Sequence, residues 1–336
     1  MGVILGYSAV KKQSQAVYNQ FGETKWVPFT KENAKLGGRD CNELKLAGLG
    51  KFLVLAAMGE SLAEYIPLLK EHRDRFDLVT CDKGFGVLLD HGIKPDYVQI
   101  CDCNIPLKWL EPYVAETKGV KLLATCYANP EWTSRWLGPR YFYVNRDSLD
   151  TQKVFLPIMG KDIRQIPAGS NVSNAMVIFQ LGVDERSPVN WAGYEEYFLV
   201  GYDYSWRPRS PDLAAEVKQG DYYAFNDTVP KRHYMDHRTL IDINGDIVRT
   251  SENLLFSAKW LYSYVTAYGL PVTNSSGRGL LDIPRQLRFP KAVEAMRSTP
   301  ERSARVKEAF ALMKQANNTL YSAQAAFENS RRILYG

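Results

Sequence analysis

The chain has 336 residues, 45% of them hydrophobic and 24% charged, the make-up of a globular protein and not of a disordered, collagen-like or membrane-embedded one. Forty-two basic against 37 acidic side chains leave a net charge of +5, a mild excess that suits anionic small molecules or an anionic polymer such as nucleic acid but falls short of a dedicated nucleic-acid footprint. Five cysteines (Cys41, Cys81, Cys101, Cys103, Cys126) include no Cys-x-x-Cys pair, which points to free thiols in a reducing, cytoplasmic setting. Met1 to Lys12 has neither a basic leader nor a small-residue cleavage site, and Lys45 and Lys51 break the apolar stretch that follows, so neither a signal peptide nor a membrane span is expected.

Residues 1–50 are mixed in texture, punctuated by Gly37-Gly38, and read as a cap segment before the first strong strand. Phe52 to Ala57 is a continuous apolar run that ends in Met58-Gly59-Glu60-Ser61, after which Leu62, Ile66 and Leu69 recur at helical spacing. Further strands are predicted over Asp77–Cys81, Tyr97–Cys101, Leu122–Cys126, Tyr141–Val144 and Tyr197–Val200, with an apolar helix over Val172–Leu181 before the last. Continuous apolar strands alternating with helices predict an α/β fold: a doubly wound, mostly parallel, Rossmann-like sheet, with ligands at the carboxyl ends of its strands.

Beyond Asp203 a polar, aromatic-rich connection with Pro208, Pro211 and Gly220 runs to His237 and reads as a lid over residues 206–239. Leu240 to Thr250 reads as a hairpin turning at Asn244-Gly245, followed by a helix over Glu252–Tyr268, a strand at Pro271–Thr273 and a Gly/Ser loop, Asn274 to Gly279. Val306, Phe310, Met313, Leu320, Phe327 and Leu334 recur almost as heptads, predicting an amphipathic helical tail over 299–336. An exposed apolar stripe there implies a homo-oligomer, and burial against its own sheet is the ordinary alternative. The domain reading is thus a cap over 1–50, a Rossmann-like domain over 51–298, and the tail.

Several segments fall where ligands are expected. Gly59, Glu60 and Ser61 lie between a strand and a helix, where free N–H groups and the helix's positive end suit a phosphate; a tight turn with Ser61 as N-cap is the plainer alternative. No Walker A sequence occurs. Asp82 and Asp102 each follow a strand and could orient a nucleoside or hold a metal, Asp102-Cys103-Asn104 being a faint echo of an Asp-x-Asp site, or they could merely cap strand ends. Gly169, Ser170 and Asn171 precede an apolar helix and offer hydroxyl, amide and N-terminal contacts, or a plain cap. Asp203, in Gly201-Tyr202-Asp203, would line the same crevice or close an Asx turn. His233 and His237, two of only four histidines, are four apart. Zinc is disfavoured there because the Glu of His-Glu-x-x-His and a third ligand are missing, which leaves general-base catalysis or a solvated surface pair.

Ala57-Met58-Gly59-Glu60-Ser61-Leu62, Gly92-Ile93-Lys94-Pro95-Asp96, Gly169-Ser170-Asn171-Val172 and Leu199-Val200-Gly201-Tyr202-Asp203 together resemble the MptE-like domain family, over roughly residues 50 to 280. That family includes archaeal 6-hydroxymethylpterin pyrophosphokinases and Maf flagellin-glycosylation factors. The same stretch is similar to bacterial sialyltransferases that use CMP-sialic acid, whose Gly-x-Gly-Pro-Ser-Leu pattern corresponds to Ala57–Leu62 with Ala57 for the first Gly and Glu60 for Pro. The resemblance implies that Asp82 stands where an Asn contacts the cytidine nucleotide, that Tyr223 is the lid tyrosine bonding the leaving phosphate, and that His237 of His233-Tyr234-x-x-His237 is the catalytic base.

The reading that follows is a glycosyltransferase moving a sugar from a nucleotide-sugar donor, CMP-nonulosonate-like, to an acceptor hydroxyl of unknown identity, with no metal cofactor. Two alternatives stand beside it. One is a pyrophosphokinase using ATP and Mg²⁺ on Asp102, aided by Asp82. The other is a non-catalytic nucleotide-binding or assembly protein, for which the change to Glu60 is the warrant.

Overall fold

A computed structural model describes residues 7–145, 149–160, 163–167, 169, 171–184, 187–188, 190–208 and 237–296. Most of the expected lid, with Tyr223 and His233, the expected tail, and Ser170 lie outside the described residues.

The strands form where the sequence is both apolar and uninterrupted. They are β1 (Phe52–Ala56), β2 (Phe76–Cys81), β3 (Tyr97–Ile100), β4 (Lys121–Thr125), β5 (Arg140–Asn145) and β6 (Arg164–Ile166), then β9 (Tyr197–Val200) and β12 (Val272–Asn274). They make one eight-stranded sheet in the order β12-β9-β1-β2-β3-β4-β5-β6, and every pairing in it is parallel. A two-residue pair, β7 (Val183–Asp184) and β8 (Ser187–Pro188), and the antiparallel hairpin of β10 (His237–Ile241) and β11 (Ile247–Ser251) stand outside it.

Both faces are covered, as continuous apolar strands require. Successive side chains of β1 alternate between cores: Leu53 and Leu55 point into one cluster, Phe52, Val54 and Ala56 into another. On the first face lie α7 (Val172–Leu181) and α8 (Glu252–Tyr268), contributing Met176, Phe179, Trp260 and Leu261. On the second lie α3 (Leu62–Glu71) and α9 (Phe289–Ala295), contributing Leu62, Ile66, Phe289 and Val293. Phe85, of α4 (Asp82–Asp90), and the tryptophans Trp132 and Trp136 extend the cover over β3 and β4.

The chain lays down β1 to β6 outward in one direction, then returns to put β9 on the other side of β1. The strand order therefore reverses between β1 and β9, and a crevice opens at their carboxyl ends, where open α/β sheets take ligands.

The segment before β1 is more ordered than its mixed composition indicates. It holds α1 (Tyr7–Phe21), a π-helical turn at Gly22–Trp26 and α2 (Val27–Leu36). Polar side chains do much of the docking there. Asn33 is fully buried and donates to the carbonyls of Cys126 and Ala128 at 2.8 and 2.9 Å, just past β4, while Trp26 stacks on Tyr127 with ring centroids 4.2 Å apart. None of the five cysteines is in a disulfide.

Gly201, after β9, has φ +74°, and a Cβ there would lie 2.2 Å from the Ala57 carbonyl oxygen after β1. Gly201→Ala is expected to cost about 3 kcal/mol or more in urea denaturation, from backbone strain together with a clash against rigid main chain. Gly119→Ala shares the positive φ, +84°, but nothing lies near its Cβ, so it should cost only about 1–2 kcal/mol. Equal losses would show that the two turns are not locked together.

Candidate functional site

The crevice is closed at its base by a carboxylate. Asp203, after β9, is 2% exposed. It accepts the Ser61 backbone N–H at 2.8 Å with Oδ2 and the Ser61 hydroxyl with Oδ1. Ser61 precedes α3 but makes no side-chain cap of its own; its hydroxyl is turned to Asp203 instead. The first anion at this helix N-terminus is thus the protein's own. Burial pushes the Asp203 carboxyl up to about 6, and the bonds from Ser61 and the charge of Arg278 oppose that rise.

The loop after β12 completes the crevice. Gly279 packs so closely that a Cβ there would lie 2.3 Å from the Asp203 carbonyl oxygen, and Leu280 N–H donates to that oxygen at 2.8 Å. The Ser276 hydroxyl accepts from Tyr202 N–H at 2.9 Å. Arg278 places Nε 3.8 Å from Asp203 Oδ2 and Nη2 2.8 Å from Glu64 Oε1 in the first turn of α3. Glu60 accepts the Arg207 N–H at 3.0 Å, tying the root of the expected lid to the turn after β1.

Asp82 and Asp102 follow adjacent strands, β2 and β3, at the same edge. Burial pushes the Asp82 carboxyl up to about 6; the Lys83 N–H, at 2.8 Å, pulls it down, and the charge of Asp102 adds to the rise. Asp102 is exposed and closes an Asx turn by accepting Asn104 N–H at 2.7 Å, and Asn104 in turn accepts from the Lys25 ammonium. Among the described residues no group of three or more His, Cys, Asp and Glu is gathered as a metal site.

Asn171 caps α7 through Asn174 N–H at 2.8 Å. Asn174 is buried and donates to the carbonyls of Gly169, at 2.8 Å, and Ser257, at 3.0 Å, while accepting from Tyr204 OH. The Gly169 turn is pressed against the Trp260 ring. Tyr202 OH donates to the Ser173 carbonyl at 2.9 Å, so the α7 N-terminus is fastened to the Tyr202–Tyr204 turn after β9. Met58, Cys101 and Val172 pack on one core, which brings the turn after β1, the end of β3 and the start of α7 together.

His237 opens β10, and its backbone pairs with Ser251, the N-cap of α8. The hairpin is bonded to both rims of the crevice. Thr250 Oγ1 donates to the Tyr204 carbonyl at 2.7 Å, and Trp206 pairs with Arg249. At its turn Asp242, 8% exposed, accepts N–H bonds from Asn244 at 2.8 Å and from Asp246 and Gly279 at 3.0 Å.

With this geometry in place, comparison with known proteins decides the family. A model described as 6-hydroxymethylpterin diphosphokinase MptE-like matches residues 30–208, more than half of the chain. The chain belongs to the MptE-like family. The fold of this MptE-like chain also resembles a solved structure of a Maf glycosyltransferase from Magnetospirillum magneticum AMB-1, with a TM-score of 0.56 and 17% identity. That likeness covers 84% of this chain and 41% of the Maf chain, so the chain corresponds to less than half of that protein's length. No curated protein matches.

The structure therefore gathers Gly59, Glu60, Ser61, Asp203, Gly169 and Asn171 around one crevice, with Asp82 and Asp102 along the same edge. Arg278, Glu64 and Asp242 escape a sequence reading because nothing in a Gly/Ser loop, a helix first turn or a hairpin turn marks them; the one available signal is an arginine in the loop directly after a predicted strand. The open hollows of about 540 and 500 Å³ lie at the opposite, amino edge, around Lys51, Asp74 and Asp77 and around Arg39 and Arg140. Asp77 there is already bonded by Lys51 and Tyr194, and in open α/β sheets ligands bind at the carboxyl edge, which is the better candidate.

The raised Asp203 carboxyl gives a pH test. Its folded pKa of about 6 lies above the ordinary 3.8, so the folded state holds the extra proton between these values and the contribution of Asp203 to stability falls as pH rises through that window. The stability of the native chain relative to Asp203→Asn should drop by roughly 2 kcal/mol between pH 4 and pH 7 in denaturant titrations. A pH-independent difference would mean that Asp203 is not desolvated as described.

Proposed function

We propose that this chain is a glycosyltransferase that moves a sugar from a nucleotide-sugar donor, CMP-linked nonulosonic acid or a close relative, to an acceptor hydroxyl. One observation carries the reading: the hairpin opened by His237 is hydrogen-bonded to the Tyr204 turn on one side and the Gly277–Gly279 loop on the other. A base-bearing strand and the strand ends that would receive a nucleotide thus form one unit. The Maf likeness supports a transferase fold without fixing donor or acceptor.

In this reading the nucleotide lies along the carboxyl edge, its phosphate near Gly59 to Ser61 and its nucleoside and sugar addressed by Asp82, Asp102, Asn104, Gly169 and Asn171, with Ser170 beside them. Asp203 holds the Ser61 turn in place from below. His237, with His233 beside it in sequence, takes the proton of the acceptor hydroxyl as its oxygen attacks the anomeric carbon. The bond from that carbon to the phosphate oxygen breaks, the electron pair leaves with the phosphate, and Tyr223 donates a hydrogen bond to the growing charge. No metal is needed for these steps.

A second reading keeps a specific support of its own. The family description names a diphosphokinase, and Asp82 and Asp102 are electrostatically coupled at neighbouring strand ends. They are the residues that would hold Mg²⁺, which would neutralise the phosphates of ATP while a diphosphate passed to an alcohol.

His237→Ala should lower turnover of the CMP-linked donor by roughly two to four orders of magnitude with little change in donor affinity. Unchanged turnover would remove the base. A thermal-shift panel of CMP, CDP, UDP, GDP and ATP separates the readings, since a specific ligand raises the melting temperature by mass action. A cytidine response that survives chelator is expected; a chelator-sensitive response to ATP alone would favour the diphosphokinase.

A further inference from the structure

Two guanidinium groups from different loops converge on one carboxylate in the first turn of α3. Arg278, after β12, brings Nη2 to 2.8 Å from Glu64 Oε1, and Arg207, after β9, brings Nη2 to 3.9 Å from the same atom. The exposures are unequal: the Arg278 side chain is 13% exposed and that of Glu64 51%. The cation is built into the protein and the anion stands at its rim.

Arg278 is short of acceptors. Its Nε has no hydrogen-bond partner among the described residues, and its nearest approach to Asp203 is 3.8 Å. Asp203 already accepts from Ser61 with both carboxylate oxygens and comes no nearer to the guanidinium than that. A guanidinium offers five N–H donors in a fixed fork, and a largely buried one whose Nε lacks a partner and whose carboxylate contacts among the described residues lie at 2.8 and 3.8 Å is poised for an anion with more oxygens. Glu64 is easily given up, since a half-exposed carboxylate–arginine pair contributes little to stability. The 3.9 Å approach of Arg207 is longer than a hydrogen bond, so this second guanidinium is held only loosely by Glu64.

We infer that Arg278, assisted by Arg207, is the receptor for the donor's phosphate, and that Glu64 is an internal stand-in which the phosphate displaces. The inference rests on the nucleotide-donor reading above and adds to it a residue pair that recognises the phosphate and a built-in competitor that sets its affinity.

The test is calorimetric titration of the full chain with CDP and, separately, with inorganic pyrophosphate. Arg278→Gln is expected to weaken CDP binding about 10- to 100-fold. Glu64→Gln removes the competitor and is expected to tighten it about 3- to 10-fold, an increase that loss of a merely structural ion pair would not produce. Native-like binding of CDP by both variants would overturn the inference and leave the donor reading standing. Pyrophosphate binding that depends on Arg278, with no CDP binding, would uphold the receptor and overturn the donor reading. Binding of neither probe to the native chain would overturn both.

Discussion

The carboxyl edge of this sheet is organised around one buried ionisable group. Asp203 gives up its hydration at the point where the strand order reverses, and the compensation is local: both of its oxygens are bonded to Ser61, at the end of the neighbouring strand's turn. Its backbone serves a third strand, with the loop after β12 packed onto the Asp203 carbonyl. One residue therefore ties together the turns after β1, β9 and β12. A helix N-terminus that composition alone offers to a phosphate is already partly spoken for by a carboxylate of the chain. What faces outward is the rim, where Glu60, Glu64, Arg207 and Arg278 meet.

How far this was legible in the sequence depends on what kind of force holds each element. Strands β1 to β5 and β9 are buried on both faces, so they read as unbroken apolar runs, and their carboxyl ends follow once the parallel alternation is seen. Edge strand β6 is three residues long, Arg164–Ile166, and carries too little apolar character to stand out. The helices before β1 were read only as a cap, because their buried face includes Thr30 and Asn33, held by hydrogen bonds to distant carbonyls and sulfur that no periodicity reveals. The hairpin was visible from Asn244-Gly245, but not the use of Asp242 to clasp the loop after β12. For the same reason the positions Gly59 to Ser61, Asp82, Asp102 and Asp203 could be found as strand-end residues, whereas the commitment of Asp203 to Ser61 depends on a contact between residues 142 apart.

The carboxyl edge combines buried acids with basic side chains. Asp203 and Asp82 are pushed up to about 6 by burial, and the largely buried Arg278 lies between Asp203 and the half-exposed Glu64. The hairpin fixes the backbone of His237 to the carboxyl edge of the sheet. Family membership and fold likeness agree with a transferase in this arrangement, and the chain spans less than half of the Maf protein it resembles.

The most direct test is a crystal structure of the chain with bound CDP. The account predicts the cytidine diphosphate at the carboxyl ends of β1 and β9, its phosphates on Arg278 with Glu64 turned away and the Ser61–Asp203 bonds intact. A nucleotide seated at the amino edge beside Lys51 and Asp77, or one that breaks the Ser61–Asp203 joint to take its place, would contradict it.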